Sequence, residues 1–438
     1  MTDSKKHLLI VLFWHLEKDP RVLREVHALR EHFTLTVAAL SAEGVDGVSW
    51  VPLSMHPHPR NLRWVIKQIL PKVCVRALYA LLGKQAPPEY SATAKMDAPK
   101  AAGASLRELG NIALRAAKIA LWSFFPQGRV QEGYKLHYTV ASRVFSPPQP
   151  YDAVLAIDIQ TLPLAFQAAK GAPVVLDAHE YFLHEYAEED GWQKRFHTRN
   201  AEIGALLVPR CAAMVTVSEG LAHLFAGDYG IAPHVVYSGP EFQQLDIVVP
   251  QPGRIRLVHH GRANPDRKLE GMIEMMQWLD ERFSLDLYLA YPGEYGERLR
   301  RMAEKTPRAR LLPPVPMTEI VRVINTYDVG LYILSPTSKN NAFALPNKFF
   351  EFIQARLVIA IGPTPDMARL VQQHDLGIVA DDFTPKNLAA RLNTLTVEDI
   401  LRFKRNAAEA AKLYCAEQNM AKLRSILSSV VTHKRNDP

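Results

Sequence analysis

The 438-residue chain has little cysteine: Cys74, Cys211 and Cys415 are widely spaced, form no C-x-x-C pair and stand in no His/Cys cluster. That pattern excludes a disulfide frame and a zinc site of the usual spacing, and points to reduced thiols and a cytoplasmic setting. Long apolar runs are missing too. No stretch of about 18 uncharged apolar residues exists, so nothing reads as membrane-spanning. The apolar run Leu8–Trp14 is short and meets the polar stretch His15–Asp19 at once, so it reads as a buried strand and not as a secretion signal. Gly 22 and Pro 31 carry no collagen-like period, and no solenoid repeat is visible. With 48% hydrophobic and 22% charged residues, the chain is not a disordered one.

An excess of Lys+Arg (52) over Asp+Glu (45) gives a net charge of +7. It favours anionic partners: a phosphorylated substrate, acidic lipid or nucleic acid. Nucleic acid is the poorest of these, because the basic residues are scattered and no recognised binding module is present.

At roughly 150 residues per domain the length suggests two or three domains. Two stretches alternate strands with helices, as doubly wound α/β domains do. In the first, Leu8–Leu12, Phe33–Leu40, Ala153–Ile157, Val174–Asp177, Ala213–Ser218 and His234–Tyr237 read as strands. Asp19 and Pro20 form a helix start, with Asp as cap and Pro at the first position. The second stretch offers Arg256–His259, Leu285–Ala290, Ala309–Leu312, Val329–Ile333, Leu357–Ile361 and Gly377–Ala380, with a helix expected over Leu269–Arg282. The expected fold is α/β, with two doubly wound Rossmann-like lobes facing a cleft. Residues 1–245 would form the N-terminal lobe, 246–396 the C-terminal lobe and 397–438 a helical tail. Ligands of such sheets sit at the carboxyl ends of the strands.

A helical insertion, about 55–147, interrupts the first lobe. Residues 54–88 carry six basic side chains and no acidic one. On a helical wheel Arg60, Arg63 and Lys67 share one face, Leu62, Val65, Ile66 and Ile69 lie opposite, and Trp64 sits at the edge. A second amphipathic segment covers Leu106–Phe125, and the Ala- and Pro-rich Lys84–Ser105 between them reads as a mobile linker. Two readings stand. The basic helix lies in the interface of an anionic membrane, or the helices pack their apolar faces internally.

Four motifs, in order, resemble the GT-B glycosyltransferases of the large, mostly retaining family 4. They are Asp19-Pro20-Arg21-Val22 with Glu25 and Leu29; Val174–Phe182, a strand ending Asp177-Ala178-His179-Glu180; Met214–Ala222 with Tyr237-Ser238-Gly239-Pro240; and Leu345-Pro346-Asn347-Lys348-Phe349-Phe350-Glu351-Phe352. The last resembles the L-P-N-K-x-x-E turn and helix of one branch. The resemblance covers both lobes and fails in the insertion.

What those residues offer chemically is a grip on a diphosphate. A nucleotide sugar's leaving group gains charge as the sugar departs, and fixed positive groups stabilise it. No two aspartates are separated by a single residue, so the D-x-D metal motif of other transferases is absent and no metal site is expected. Gly261-Arg262 and Arg267-Lys268 resemble the family's phosphate clamp, with Arg267 on the diphosphate and Arg262 or Lys268 assisting. The alternative is a solvated basic turn. Pro346 opens a helix whose first turn, Asn347 and Lys348, presents N–H groups and the positive helix end to an anion. The resemblance implies that Glu351 accepts hydrogen bonds from the donor's ribose, although Lys348 and Glu351 at i,i+3 also fit an exposed ion pair. On the other lobe, His179 is placed to bond a substrate hydroxyl or phosphate, and Glu180 to position the acceptor. Asp177 and Asp19 read as turn and helix caps, Ser218 as the cap of the next helix, and His259 and His260 as structural.

One departure is plain. The family's E-x7-E pattern needs Glu at position 343, and Phe343 stands there. That first Glu contacts the donor sugar in the family, so Asn341 or backbone amides of its loop are the expected substitutes. The glycine-rich turn after the first strand is also missing, replaced by Phe13-Trp14-His15-Leu16.

The expectation is a retaining, metal-independent glycosyltransferase of the cytoplasm, peripheral on the inner face of the membrane. Its partners would be a nucleotide-diphosphate sugar and a saccharide or lipid-linked acceptor in cell-surface polysaccharide synthesis, with no further cofactor. A nucleotide-sugar epimerase of the same fold and a catalytically silent scaffold are the alternatives.

Overall fold

The computed structural model describes residues 5–55, 130–131, 133–136, 138–183, 197–291, 293–333 and 335–433. The basic helix, the linker, the second amphipathic segment and Cys74 lie outside them.

Among the described residues, fourteen strands build two sheets. The first holds β1 (Lys6–Val11), β2 (Phe33–Ala39), β3 (Ser49–Met55), β4 (Tyr138–Val140), β5 (Ala153–Ile157), β6 (Val174–Ala178), β7 (Ala213–Thr216) and β8 (His234–Val235). The second holds β9 (Ile255–Arg262), β10 (Phe283–Ala290), β11 (Ala309–Leu312), β12 (Val329–Tyr332), β13 (Val358–Ile361) and β14 (Gly377–Val379). Their orders are β4-β3-β2-β1-β5-β6-β7-β8 and β11-β10-β9-β12-β13-β14. Every pairing is parallel except β3 with β4. β5, and β1 from Leu8 to Val11, are apolar and fully inside because a parallel sheet is covered on both faces. Both sheets thus have the doubly wound α/β form that the strand–helix alternation predicts.

Seven helices matter for the cleft: α1 (Pro20–Leu29), α2 (Glu219–Tyr229), α3 (Lys339–Ala342), α4 (Asn347–Gln354), α5 (Pro365–Gln373), α6 (Val397–Leu413) and α7 (Ala416–His433). Asp19 caps α1 by accepting from the main-chain N–H of Arg21 and Val22, and Ser218 caps α2 by accepting from Leu221. The last helix returns to the first lobe. Met420, Leu423, Ile426 and Leu427 on α7 share a core with Leu8, Ile10, Val22 and Val26.

Some local expectations need correction. β3, just before the insertion, and β4, inside what reads as a purely helical insertion, extend the first sheet. β4 has three residues and a partner more than 80 positions away, so it leaves no local periodicity. Behind β9 the expected helix Leu269–Arg282 is a short α-turn, Glu270–Glu274, followed by a 3-10 turn, Met275–Gln277. No helix among the described residues is long and apolar enough to cross a membrane.

Candidate active site

Each sheet reverses its strand order beside its first strand, between β1 and β5 and between β9 and β12. A crevice opens there at the carboxyl ends of the strands. The two crevices face each other across one cavity of about 580 Å³.

β9 delivers His260, Gly261 and Arg262 to that cavity, and the following 3-10 turn, Pro265–Arg267, adds Arg267. The start of α4 adds Asn347, Lys348 and Glu351, while His179 and Glu180 enter behind β6. Asn341 lines the same space. Of the residues singled out in the sequence, Lys268 alone is not brought in. It caps the turn at φ +46 as an exposed residue and is not among the residues that line the cavity with Arg267.

Lys348 is buried, and its surroundings explain its chemistry. Nζ lies 3.3 Å from His259 Nε2 and 4.6 Å from the centre of the Tyr332 ring. His259 directs Nδ1 to the Leu331 carbonyl at 2.8 Å, which leaves Nε2 as the acceptor facing the lysine. Burial, and then the Arg267 charge, push the Lys348 ammonium down to about 7, partly offset by Glu351. Gly261 makes room for it. At φ +131 a side chain would be strained there, and a Cβ would stand 3.1 Å from Lys348 Nζ.

Glu351 sits one turn further along α4, 3.3 Å from His260 Nε2. Burial raises its carboxyl to about 7, with Lys348 and Arg24 opposing. Burial and Lys348 push His260 down to about 3, so it faces Glu351 uncharged. His260 therefore belongs to the cavity wall, which corrects its reading as merely structural.

Behind the opposite wall is a chain of buried charge. Arg21, from the first turn of α1, donates from Nη2 to both Asp177 oxygens at 3.0 Å and from Nη1 to the Val236 carbonyl at 2.8 Å. Glu25 Oε1 lies 3.1 Å from Arg21 Nε. Asp177 Oδ2 lies 3.3 Å from His179 Nε2, so Asp177 is an ion-pair anchor rather than a turn cap. Against the opposing effect of burial, Asp177 and then Asp158 hold His179 up at about 10, an imidazolium at neutral pH. Burial and Asp177 raise Glu25, while Arg21 keeps Asp177 well below the carboxylate range. Glu25, Asp177 and His179 are also close enough together to suit a cation. The Arg21 guanidinium already occupies their midst.

The loop that replaces the expected carboxylate crosses to the other lobe. Ser338 caps the single turn α3. Asn341 folds back on Thr337 at 2.7 Å, whereas its neighbour Asn340 reaches the first lobe and accepts from the Tyr181 N–H at 2.8 Å. The Phe343 ring seats on Gly220, where any Cβ would meet its Cδ1 at 1.9 Å. Sequence reasoning missed Asn340, Arg21 and Arg24. Their partners are far along the chain, and only the Ser338 cap was available to orient the one-turn helix.

No protein-family model matches the chain, and no curated protein matches it. Solved structures do. The chain superposes on Anabaena HepE in complex with UDP and glucose with TM-score 0.58 at 14% identity, covering 97% of this chain and 100% of that one. Trehalose-6-phosphate synthase from Burkholderia multivorans gives 0.60 at 10% identity, with 98% and 100% covered. WaaG, a glycosyltransferase of lipopolysaccharide biosynthesis, gives 0.55 at 11%, with 94% and 98% covered. The fold is GT-B. In this GT-B molecule the cleft is where the two sheets place their switch points, and the charged side chains above are what it presents.

Proposed function

We propose that the protein is a glycosyltransferase that takes a sugar from a nucleoside-diphosphate donor and passes it, with retention and without a metal, to a saccharide or lipid-linked acceptor. One observation carries this reading: buried Lys348 and half-buried Arg267 stand together in the interlobe cavity, with Glu351 on the same lobe and Glu180 on the other. Two cations beside a helix start suit a diphosphate. The likeness to HepE, which holds UDP and glucose in the same fold, supports the reading.

The chemistry follows from these residues. As the bond from the sugar carbon to the diphosphate oxygen breaks, negative charge grows on the leaving oxygen, and Arg267 and Lys348 stabilise it. The acceptor hydroxyl attacks from the same face and gives its proton to the departing phosphate. His179, already charged at neutral pH, donates a hydrogen bond and does not take that proton. Glu351 accepts from the ribose hydroxyls. In this reading Arg262 and Asn347 add to the phosphate contacts, and Lys268, outside the cavity, adds none.

Nucleotide sugars offered with acceptor extracts test the proposal, with Arg267→Ala and Glu351→Ala as controls. Transfer that disappears in both variants supports it; full activity in both removes the assignment. Turnover without any acceptor points to an epimerase, and tight nucleotide binding with no transfer to a scaffold. The membrane-borne acceptor, and with it a place in cell-surface polysaccharide synthesis, rests on the basic segment of the sequence. It predicts co-sedimentation with anionic vesicles at low salt, where surface attraction is strongest.

A further inference from the structure

Glu180 and Asn340 lie 160 positions apart and on different lobes, yet Asn340 Nδ2 donates to Glu180 Oε2 at 2.5 Å. The other end of the Asn340 amide accepts from the Tyr181 N–H at 2.8 Å, so the side chain is fixed at both ends and is only 9% exposed. Glu180 remains open to the cavity, and among the described residues nothing engages its Oε1.

The order of charge along the cleft gives this pair a purpose. Arg267 lines the same cavity as Lys348 and Glu180 and is within electrostatic reach of both. From the C-terminal lobe outward the wall presents a carboxylate (Glu351), two cations (Lys348, Arg267) and a second carboxylate (Glu180). A nucleotide sugar presents the complement: a hydroxylated ring, a diphosphate and a second hydroxylated ring. Ionised carboxylates accept strong hydrogen bonds from hydroxyl groups. The apolar residues Val315, Met317 and Ile320, all on the C-terminal lobe, line the same cavity and suit a base, which in the glycosyltransferase reading puts the ribose at the Glu351 end. The sugar then falls at Glu180.

We propose that the Glu180–Asn340 pair reads the donor sugar, with Glu180 Oε1 accepting from a ring hydroxyl and Asn340 setting the direction of that carboxylate. This rests on the glycosyltransferase reading. The pair takes over the task of a carboxylate at position 343, which cannot perform it because the Phe343 ring is turned onto Gly220 of the other lobe. Asn340 is a positioning residue and Glu180 the contact.

Calorimetry on the full chain tests it. UDP, GDP, ADP and TDP are compared with their glucose, mannose, galactose and N-acetylglucosamine conjugates. The wild type binds one conjugate at least tenfold more tightly than its bare diphosphate. In Glu180→Gln, which keeps the link to Asn340 but loses the charge, and in Asn340→Ala, that advantage disappears while affinity for the bare diphosphate stays within twofold. The unchanged diphosphate affinity also shows that both variants fold. Equal losses for conjugate and diphosphate, or no loss at all, overturn the proposal, as does a wild type that prefers no conjugate. If no diphosphate binds the wild type, the glycosyltransferase reading itself fails, a result distinct from the others.

Discussion

Arg21 holds Asp177 from two directions: Nη2 meets both carboxylate oxygens at 3.0 Å and Nε meets Oδ2 at 3.2 Å, with both side chains buried. The partners come from the first turn of α1 and the end of β6, so this ion pair joins the helix to the strand that carries His179. Asp177→Asn leaves the Arg21 and His179 charges without their main counter-charge. Breaking a buried pair from one side costs about 3–5 kcal/mol, and chemical denaturation of the variant should show a loss of that order. A loss below ~1 kcal/mol would mean that water reaches the pair.

The same variant changes the pH dependence of stability. The folded-state value of His179, about 10, lies above its ordinary 6.5. Its contribution is therefore complete below pH 6.5 and is lost as pH rises through about 10. Titration by NMR should place the wild-type imidazole near 10 and the Asp177→Asn imidazole at least one unit lower. Identical titrations would show that Asp177 does not govern His179.

Lys348 should make diphosphate binding depend on pH in a definite direction. In the free protein its value is about 7, and an anion beside it favours the charged form. Binding then takes up a proton, and affinity falls with rising pH by up to tenfold per unit. The experiment belongs above pH ~7.5, where the terminal phosphate, with a second pKa of about 6, is already ionised. Calorimetry of UDP in two buffers of different ionisation heat reads the proton directly; no uptake would leave Lys348 out of the grip.

The members of the clamp can be separated by substitution. Arg267→Ala and Lys348→Ala should each weaken nucleoside diphosphate at least tenfold, about 1.4 kcal/mol. Lys268→Ala should leave it unchanged, since that side chain is exposed and lines no part of the cavity. Equal effects of all three would mark a diffuse basic field in place of a specific grip.

Phe343 and Gly220 should behave as one unit. Gly220→Ala forces a Cβ against the phenyl ring, and Phe343→Ala removes the ring. The first change alone should destabilise the protein by about 1–3 kcal/mol, and much less when made in the Phe343→Ala background. Phe343→Glu, which rebuilds the E-x7-E spacing, should not raise sugar affinity. Additive losses in the double variant would show that the two positions do not touch.

The sheets were legible because most of their strands carry apolar runs of the kind a parallel interior demands, set between helical stretches. Ala153–Ile157 and Ala309–Leu312 coincide with the observed elements to the residue. β4 was not legible, since three residues paired antiparallel to a distant segment have no period to detect. The cleft residues stood out where a local pattern carries them. Pro346 opens α4 and so fixes Lys348 and Glu351, and the end of β6 fixes His179 and Glu180. The sequence points to Asn341 or the loop amides and gives no sign of Asn340, because neighbours on a one-turn helix are alike in sequence. Their difference arises only when the loop meets Tyr181. The Arg21–Asp177 pair was hidden for the same reason, since nothing near Arg21 announces an acid 156 positions away.

The chain passes between the lobes twice, after β8 and again between α6 and α7, and the two passages are pinned together where Ala416 N donates to the Pro240 carbonyl at 2.8 Å. The Tyr237 N–H donates to Asn419 and the Phe242 N–H to Glu417, so the two ribbons are fastened at several points along their length. Any widening of the cleft must also break the contacts that cross it elsewhere, Gly220 N–H to Asp366 and Asn340 to Tyr181 and Glu180 among them.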